Sequence, residues 1–271
     1  MKRRDFLFGA ASGATAAVML GTAGKALLGT ASGAPGLPPP VAAERPGPAL
    51  LYQGRRSFAQ QGEDLILYNL LRDELEIEAP SYLDIGAGDP VLSNNTYALY
   101  LTGSRGVLVE PNPALVRKLK AVRPGDVVVA CGVGLNERTD ADYYVIRGRW
   151  PLNTFSRRAV AEYRSQSAAD PVENVLKMPL VSINRLIADC FGDAPDLLSI
   201  DIEGMDLAVL RTMDFRAHRP AAICAETKKP GMSHDSTAVA RLLRGKGYVA
   251  CAGSLYNTIF VDRNRFQVRR G

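Results

Sequence analysis

Tyr82-Leu83-Asp84-Ile85-Gly86-Ala87-Gly88-Asp89 is the stretch on which the fold turns. A short apolar run ends in two glycines separated by one residue. That pattern is a buried strand whose backbone then turns tightly. Lacking Cβ atoms at Gly86 and Gly88, the turn can approach a ligand closely. The next apolar run, Val107-Leu108-Val109, closes on Glu110-Pro111-Asn112-Pro113, and Glu110 stands 26 residues after Asp84. A carboxylate at a strand end can accept two hydrogen bonds from a ribose diol. Asp84, the glycine turn and Glu110 together form a constellation for an adenosine-bearing ligand. A dinucleotide would ask for a third glycine to seat its pyrophosphate on a helix N-terminus, but Val91 holds that place, directly after Pro90. A nicotinamide-dependent oxidoreductase is therefore the weaker reading of this loop.

Outward from these two strands, short apolar runs alternate with helical spacing. Strands are predicted over residues 82–85, 106–109, 126–130, 197–200, 221–225, 248–250 and 258–261. Helices are predicted over residues 95–101, 113–122, 183–190, 205–213 and 237–246, with an extra strand over 143–146 in an insertion. Before all of these, Glu63 and Asp64 open an amphipathic helix carried by Leu67, Leu70, Leu71 and Leu75. Such alternation builds an α/β fold, a mostly parallel sheet covered by helices on both faces. Ligands then bind beyond the carboxyl ends of the strands.

The motifs at those ends resemble a known family. Asp-Ile-Gly-Ala-Gly at 84–88 followed by Val-Glu-Pro-Asn-Pro at 109–113 is similar to the FkbM group of class I methyltransferases. Ser57-Phe58-Ala59-Gln60-Gln61-Gly62-Glu63-Asp64 resembles the opening motif of one subgroup, and Ser93-Asn94-Asn95-Thr96 its Ser-Asn-Thr segment. Ser199-Ile200-Asp201-Ile202-Glu203-Gly204 resembles the family's Asp-x-Glu-Gly signature, and Ile223-Cys224-Ala225-Glu226 supplies an acid at the end of the following strand. The resemblance runs from about residue 57 to 261. It implies a Rossmann-like fold with a seven-stranded, mostly parallel sheet and an antiparallel last strand. It also implies S-adenosyl-L-methionine as the cofactor and a hydroxyl on a sugar, glycan or other small molecule as the methyl acceptor.

The resemblance also implies roles. Asp84, Gly86 and Gly88 would hold the cofactor's methionine part, Glu110 its ribose, and Asn112 would border the adenine, with Cys131 and Gly132 flanking the ring. Neither Val133 nor its neighbours Gly132 and Gly134 is an acid or amide, where the family leads one to expect a side-chain partner for adenine. The sulfonium is an activated methyl donor, so the protein has only to align the acceptor and remove its proton. Asp201 is the first candidate for that base and Glu203 the second. Glu226 is expected to converge with them at an adjacent strand end, and His234, in the loop after it, is a further acid–base candidate. Paired acids can also hold a divalent metal, but the resemblance does not require one, and none is expected. Trp150 and the residues after it, through Ser156, belong to an insertion suited to an acceptor lid, or equally to core packing.

Length and composition fit one ordinary α/β domain with a leading segment: 271 residues, 46% hydrophobic and 23% charged. The formal charge is +5, but residues 1–43 carry Lys2, Arg3, Arg4 and Lys25 against Asp5 alone. The body is thus near neutral, which argues against nucleic acid as a partner. Lys2-Arg3-Arg4-Asp5-Phe6-Leu7, an Ala/Gly-rich apolar stretch, and a Pro-rich segment ending Val41-Ala42-Ala43 resemble a twin-arginine export signal. Residues 1–43 are accordingly expected to be a targeting segment, 44–56 a linker and 57–271 the methyltransferase domain. The implied partner is the twin-arginine translocase, the implied location periplasmic or exported, with membrane contact only through the signal; a cytoplasmic protein is the alternative. Export away from the cytoplasmic methyl donor also motivates a second reading, a non-catalytic binding protein that keeps the fold. The four cysteines form no CxxC pair and read as buried thiols. With His218 and His234 alone, a three-histidine metal site within one chain is excluded.

Overall fold

A computed structural model describes residues 51–52, 55–166, 169–202, 204–227 and 237–267. The targeting segment expected over residues 1–43 lies outside the described residues. So do Glu203 and His234.

Seven strands form the central sheet: β3 (Tyr82–Ile85), β4 (Gly106–Val109), β5 (Val127–Val129), β9 (Leu197–Ile200), β10 (Ala222–Glu226), β11 (Tyr248–Gly253) and β12 (Asn257–Asp262). Their spatial order is β11-β12-β10-β9-β3-β4-β5. Every pairing is parallel except those of β12, which runs antiparallel to both β10 and β11. The order reverses between β3 and β9, which is where a doubly wound sheet opens a crevice for ligand. The fold is thus the Rossmann-like α/β architecture expected from the sequence.

Period-two alternation assigns the two faces. Leu83, Ile85, Val107, Val109, Leu198, Ile200, Ile223 and Ala225 join one core. It is covered by α5 (Ile183–Phe191), α6 (Asp206–Thr212) and α7 (Ala238–Gly245) through Leu186, Ile187, Val209, Leu210 and Leu243. Tyr82, Leu108, Leu197, Ala222, Cys224 and Ile259 form the opposite core. There α1 (Glu63–Tyr68), its π-helical continuation Asn69–Glu74, α2 (Tyr97–Leu101) and α3 (Pro113–Val122) supply Leu67, Leu71, Leu99, Val116 and Leu119. Each such fully buried leucine contributes roughly 1.5–3 kcal/mol relative to exposure.

Polar ties fix the frame. Asn112 caps α3 by accepting the Ala114 N–H at 2.9 Å, with Pro113 pre-set for the first turn. Arg123, at the end of that helix, is wholly buried. It pairs with Asp126 at 2.7 Å and donates to Tyr82 Oη, Thr96 Oγ1 and Asn94 Oδ1 at 2.9, 3.0 and 3.1 Å.

Two features depart from the sequence reading. Leu51–Tyr52 (β1) pairs with Arg55–Arg56 (β2) inside the stretch expected to be linker. A surface position would be expected for His218, which precedes Arg219-Pro220, yet it is buried and its Nδ1 lies 2.6 Å from the Asp193 carbonyl, a partner that lets the ring leave water. All four cysteines are free; Cys131 and Cys224 are buried, whereas Cys251 on the edge strand β11 is exposed.

Between β5 and α5 the chain builds a second, three-stranded sheet of β6 (Gly132–Gly134), β7 (Asp140–Ile146) and β8 (Val172–Ser182), ordered β6-β8-β7. A 3₁₀ turn at Trp150–Leu152 and helix α4 (Arg157–Ser165) complete this insertion. Among the described residues, no helix is long and apolar enough to cross a membrane.

Candidate active site

Both glycines after β3 take left-handed backbone, φ 82° at Gly86 and 59° at Gly88. A side chain at Gly86 would collide with the main-chain carbonyl of Asp201. The turns after β3 and β9 are therefore pressed together, and Asp201 N–H donates to the Ile85 carbonyl at 3.0 Å. A Cβ at Gly88 would stand 2.7 Å from the Trp150 ring. The turn is bound to the neighbouring strand by Gly86 and Ala87 N–H groups, which donate to the Val109 carbonyl at 2.9 and 3.2 Å.

Glu110 faces this turn. Its Oε2 accepts the Gly88 N–H at 3.0 Å and its Oε1 accepts the Asn112 N–H at 2.7 Å. The side chain is 3% exposed. Burial pushes its pKa up to about 7; the two backbone donors counter this in part, and the Asp84 carboxyl adds to the rise. Each carboxylate oxygen keeps lone-pair capacity beyond its one backbone donor, so further donors can be received.

A cavity of about 200 Å³ opens here. The segments that follow main-sheet strands contribute Gly86, Gly88, Glu110, Cys131 and Asp201 to its wall, and β6 contributes Gly132. The insertion contributes Tyr143, Trp150, Asn153 and Phe155, and the opening segment adds Gln60. Glycines that a Cβ would fill and a buried carboxylate one turn away make a cradle suited to the adenosyl and methionine parts of S-adenosylmethionine.

Other expected site residues lie elsewhere. Asp84 is not on the cavity wall. Strand alternation turns Ile85 toward the cavity and Asp84 to the opposite sheet face, where its Oδ2 accepts from Thr96 Oγ1 at 2.7 Å. Burial raises its pKa, with Arg123 opposing the rise. Asn112 is also off the wall, because its side chain is spent capping α3. Glu226 ends β10, one strand beyond Asp201, is half-buried and does not line the cavity.

The sequence model of the Methyltransferase FkbM domain matches residues 84–250. The chain belongs to the FkbM methyltransferases. No curated protein matches it in sequence. Among solved structures, a TehB-like SAM-dependent methyltransferase from Corynebacterium glutamicum aligns with TM-score 0.37 and 12% identity, covering 75% of this chain and 88% of that one. TehB from Haemophilus influenzae aligns with TM-score 0.39 and 9% identity, over 78% and 65% of the two chains. The 1,6-didemethyltoxoflavin-N1-methyltransferase of Burkholderia thailandensis, solved with S-adenosylhomocysteine, aligns with TM-score 0.37 and 12% identity, over 74% and 77%.

For an FkbM methyltransferase, one acid escaped the sequence reading. Asp206 opens α6, is 3% exposed, and its Oδ1 has no hydrogen-bond partner. Burial raises its pKa well above the usual range, helped by the charges of Asp201 and Glu226. Its signal was present as the acid two residues beyond the Asp201-Ile202-Glu203-Gly204 signature, but an acid in a first helical turn reads simply as dipole compensation. Among the described residues, no group of three His, Cys, Asp or Glu is placed to hold a metal ion.

Proposed function

We propose that this methyltransferase moves the methyl group of S-adenosylmethionine to a hydroxyl of a sugar, glycan or other small molecule. The observation that carries the reading is the buried Glu110 carboxylate, hydrogen-bonded to the Gly86–Gly88 turn on the wall of one cavity. Glu110 would receive the ribose hydroxyls, and the glycine turn would border the methionine part. When bound, the cofactor supplies an activated methyl group. Asp201, exposed on the same wall, would accept the proton from the attacking hydroxyl as the new carbon–oxygen bond forms. Trp150, packed over Gly88, would exclude water above the glycine turn, and Tyr143 and Phe155, beside Gly132, would wall the adenosine end.

Thermal unfolding of the full chain with and without S-adenosylhomocysteine tests this. Ligand at about 100 times its dissociation constant should add roughly 2.7 kcal/mol of stability. A shift lost in Glu110→Ala supports the reading, and no shift in a folded sample overturns it. The opening Lys2-Arg3-Arg4 segment supports a second part of the proposal, export through the twin-arginine translocase. A full-length protein found wholly in the cytoplasmic fraction would refute that part.

A further inference from the structure

The insertion walls a second cavity, of about 320 Å³, across its 3₁₀ turn from the first. The turn is shared between the two: Trp150, Pro151 and Asn153 line the first cavity, Arg149 and Leu152 the second. This partition is tied at its base. Arg149 N–H donates to the Ile146 carbonyl at 3.2 Å, Leu152 N–H to the Arg149 carbonyl at 2.9 Å, and Ile146 N–H to Asn153 Oδ1 at 2.8 Å. Its crest is open to solvent, because Arg149 and Trp150 are both exposed. A ligand can therefore lie over the crest and reach into both cavities.

Charge distinguishes the second cavity. Arg147 and Arg149 both line it, flanking Gly148, whose φ of 62° makes the bend between them. Other cations of the insertion meet acids: Arg157 pairs with Asp142, Arg158 with Glu162, Arg164 with Asp170 and Lys177 with Asp140. Among the described residues, no acid pairs with Arg147 or Arg149. Asp170, on the same wall, is already engaged: Arg164 donates to its two oxygens at 3.1 and 2.9 Å, and Val172 N–H donates at 3.0 Å. The cavity thus keeps a surplus of two guanidinium cations, whose planar, forked donors match the oxygens of a carboxylate or phosphate. Across the partition, the Trp150 ring packs over Gly88, at the end assigned to the cofactor's methionine part. We propose that Arg147 and Arg149 form an oxyanion subsite for the methyl acceptor: the acceptor carries a carboxylate or phosphate, which enters the second cavity while its reacting hydroxyl lies in the first. The proposal rests on the methyltransferase reading above and narrows its acceptor to anionic sugars and glycans.

Tryptophan fluorescence of the full chain, saturated with S-adenosylhomocysteine, tests this without turnover, because Trp150 is the single tryptophan of the sequence and stands in the partition. The probes are D-glucuronate, glucose 6-phosphate and neutral glucose, titrated at one ionic strength so that screening is constant. Glucuronate or glucose 6-phosphate should give a saturable change, and glucose should bind about tenfold more weakly or not at all. Which anion responds decides between carboxylate and phosphate. Arg147→Gln and Arg149→Gln should each weaken that anion about tenfold, the scale of a charge-assisted hydrogen bond, while melting like the wild type without ligand. Arg158→Gln removes an equal charge from α4 and should bind the anion as the wild type does. If neither anion binds, if glucose binds as well, if both cavity variants bind like the wild type, or if Arg158→Gln loses as much as they do, the proposal is overturned. A thermal shift with S-adenosylhomocysteine in the same sample then leaves the cofactor reading standing. If S-adenosylhomocysteine itself does not bind, that reading falls and the acceptor subsite falls with it.

Discussion

Glu110 should make the stability of this protein fall as pH rises from about 4.5 to about 7, and Glu110→Gln should remove that fall. The carboxyl has an ordinary value of 4.5 and is pushed to about 7 in the folded state, with 3% exposure. A raised folded pKa means the folded protein holds the proton more tightly than the unfolded chain. The corresponding stability is fully present below the unfolded value and is lost as pH rises through the folded one. Over that window the difference amounts to about 3 kcal/mol, with a slope of up to about 1.4 kcal/mol per pH unit. Glutamine cannot ionise, so the variant should lack this component. Its NH₂ would face either the Gly88 or the Asn112 N–H, which costs about 1–3 kcal/mol at every pH and leaves the slope untouched. Urea unfolding of both proteins at half-unit steps from pH 4.5 to 8 separates the two effects. Parallel curves, offset but equal in slope, would refute the burial argument for Glu110. The same titration bears on ligand. An ionised Glu110 accepts hydroxyl donors better than a protonated one, so affinity for S-adenosylhomocysteine should increase as pH passes 7 in the wild type only.

Gly86→Ala places a Cβ against the Asp201 carbonyl on a backbone at φ 82°. The left-handed conformation alone costs about 1–2 kcal/mol, so differential scanning should show a lower melting point and no ligand-induced shift. Arg123→Met leaves Asp126 buried without its cation, which should cost about 3–5 kcal/mol in chemical unfolding; a loss below 1 kcal/mol would show the network to be dispensable. Asp201→Asn should reduce kcat by about 10²–10⁴ if the carboxylate is the base, with the affinity for S-adenosylhomocysteine unchanged; a matching loss of affinity would reassign Asp201 to binding.

The main sheet was legible because its strands are buried on both faces. β3, β4 and β9 are continuous apolar runs broken only by Asp84 and Ser199, and each fell where the sequence placed it. Helix α3 was marked at its start by Asn112-Pro113. The insertion was largely illegible. β8 is eleven residues long but alternates poorly, with Glu173, Asn174 and Val175 all outward and Pro179 within it. Helix α4 buries only Val160, so it carries no apolar stripe to read. These elements derive their shape from pairing with β7 and β6, a long-range cause that local pattern does not record. The site divided along the same line. Residues on turns after main-sheet strands, Gly86, Gly88, Glu110, Cys131 and Asp201, meet at one cavity. Asn153 reaches it only because the insertion folds over, and nothing in its local sequence announces that.

Asp84 and Glu110 show why two carboxylates of one motif pair come to play different parts. Both are buried, and burial raises both pKa values. Asp84 points to the face where Thr96 donates to it and where the Arg123 guanidinium opposes the rise in its pKa. That cation is itself bound to Asp126, Tyr82 and Asn94, so moving Asp84 would unmake a connected polar layer. Asp84 therefore fixes the Asn94–Thr96 segment behind the sheet. Asn94 in turn donates to the carbonyls of Ala87 and Asp89 at 3.1 Å, which sets the glycine turn from below. At Glu110 the rise is opposed by two backbone N–H donors, from the turn and the head of α3, and not by a cation, while the Asp84 carboxyl adds to it. Glu110 is held in place yet left electrostatically under-compensated, which is the condition for accepting donors from a ligand at small reorganisation cost. Period-two geometry decides the division: one residue along β3 separates a group that supports the cavity floor from Ile85, which forms its wall, while Glu110 just past β4 is turned inward by the Pro111–Asn112 bend.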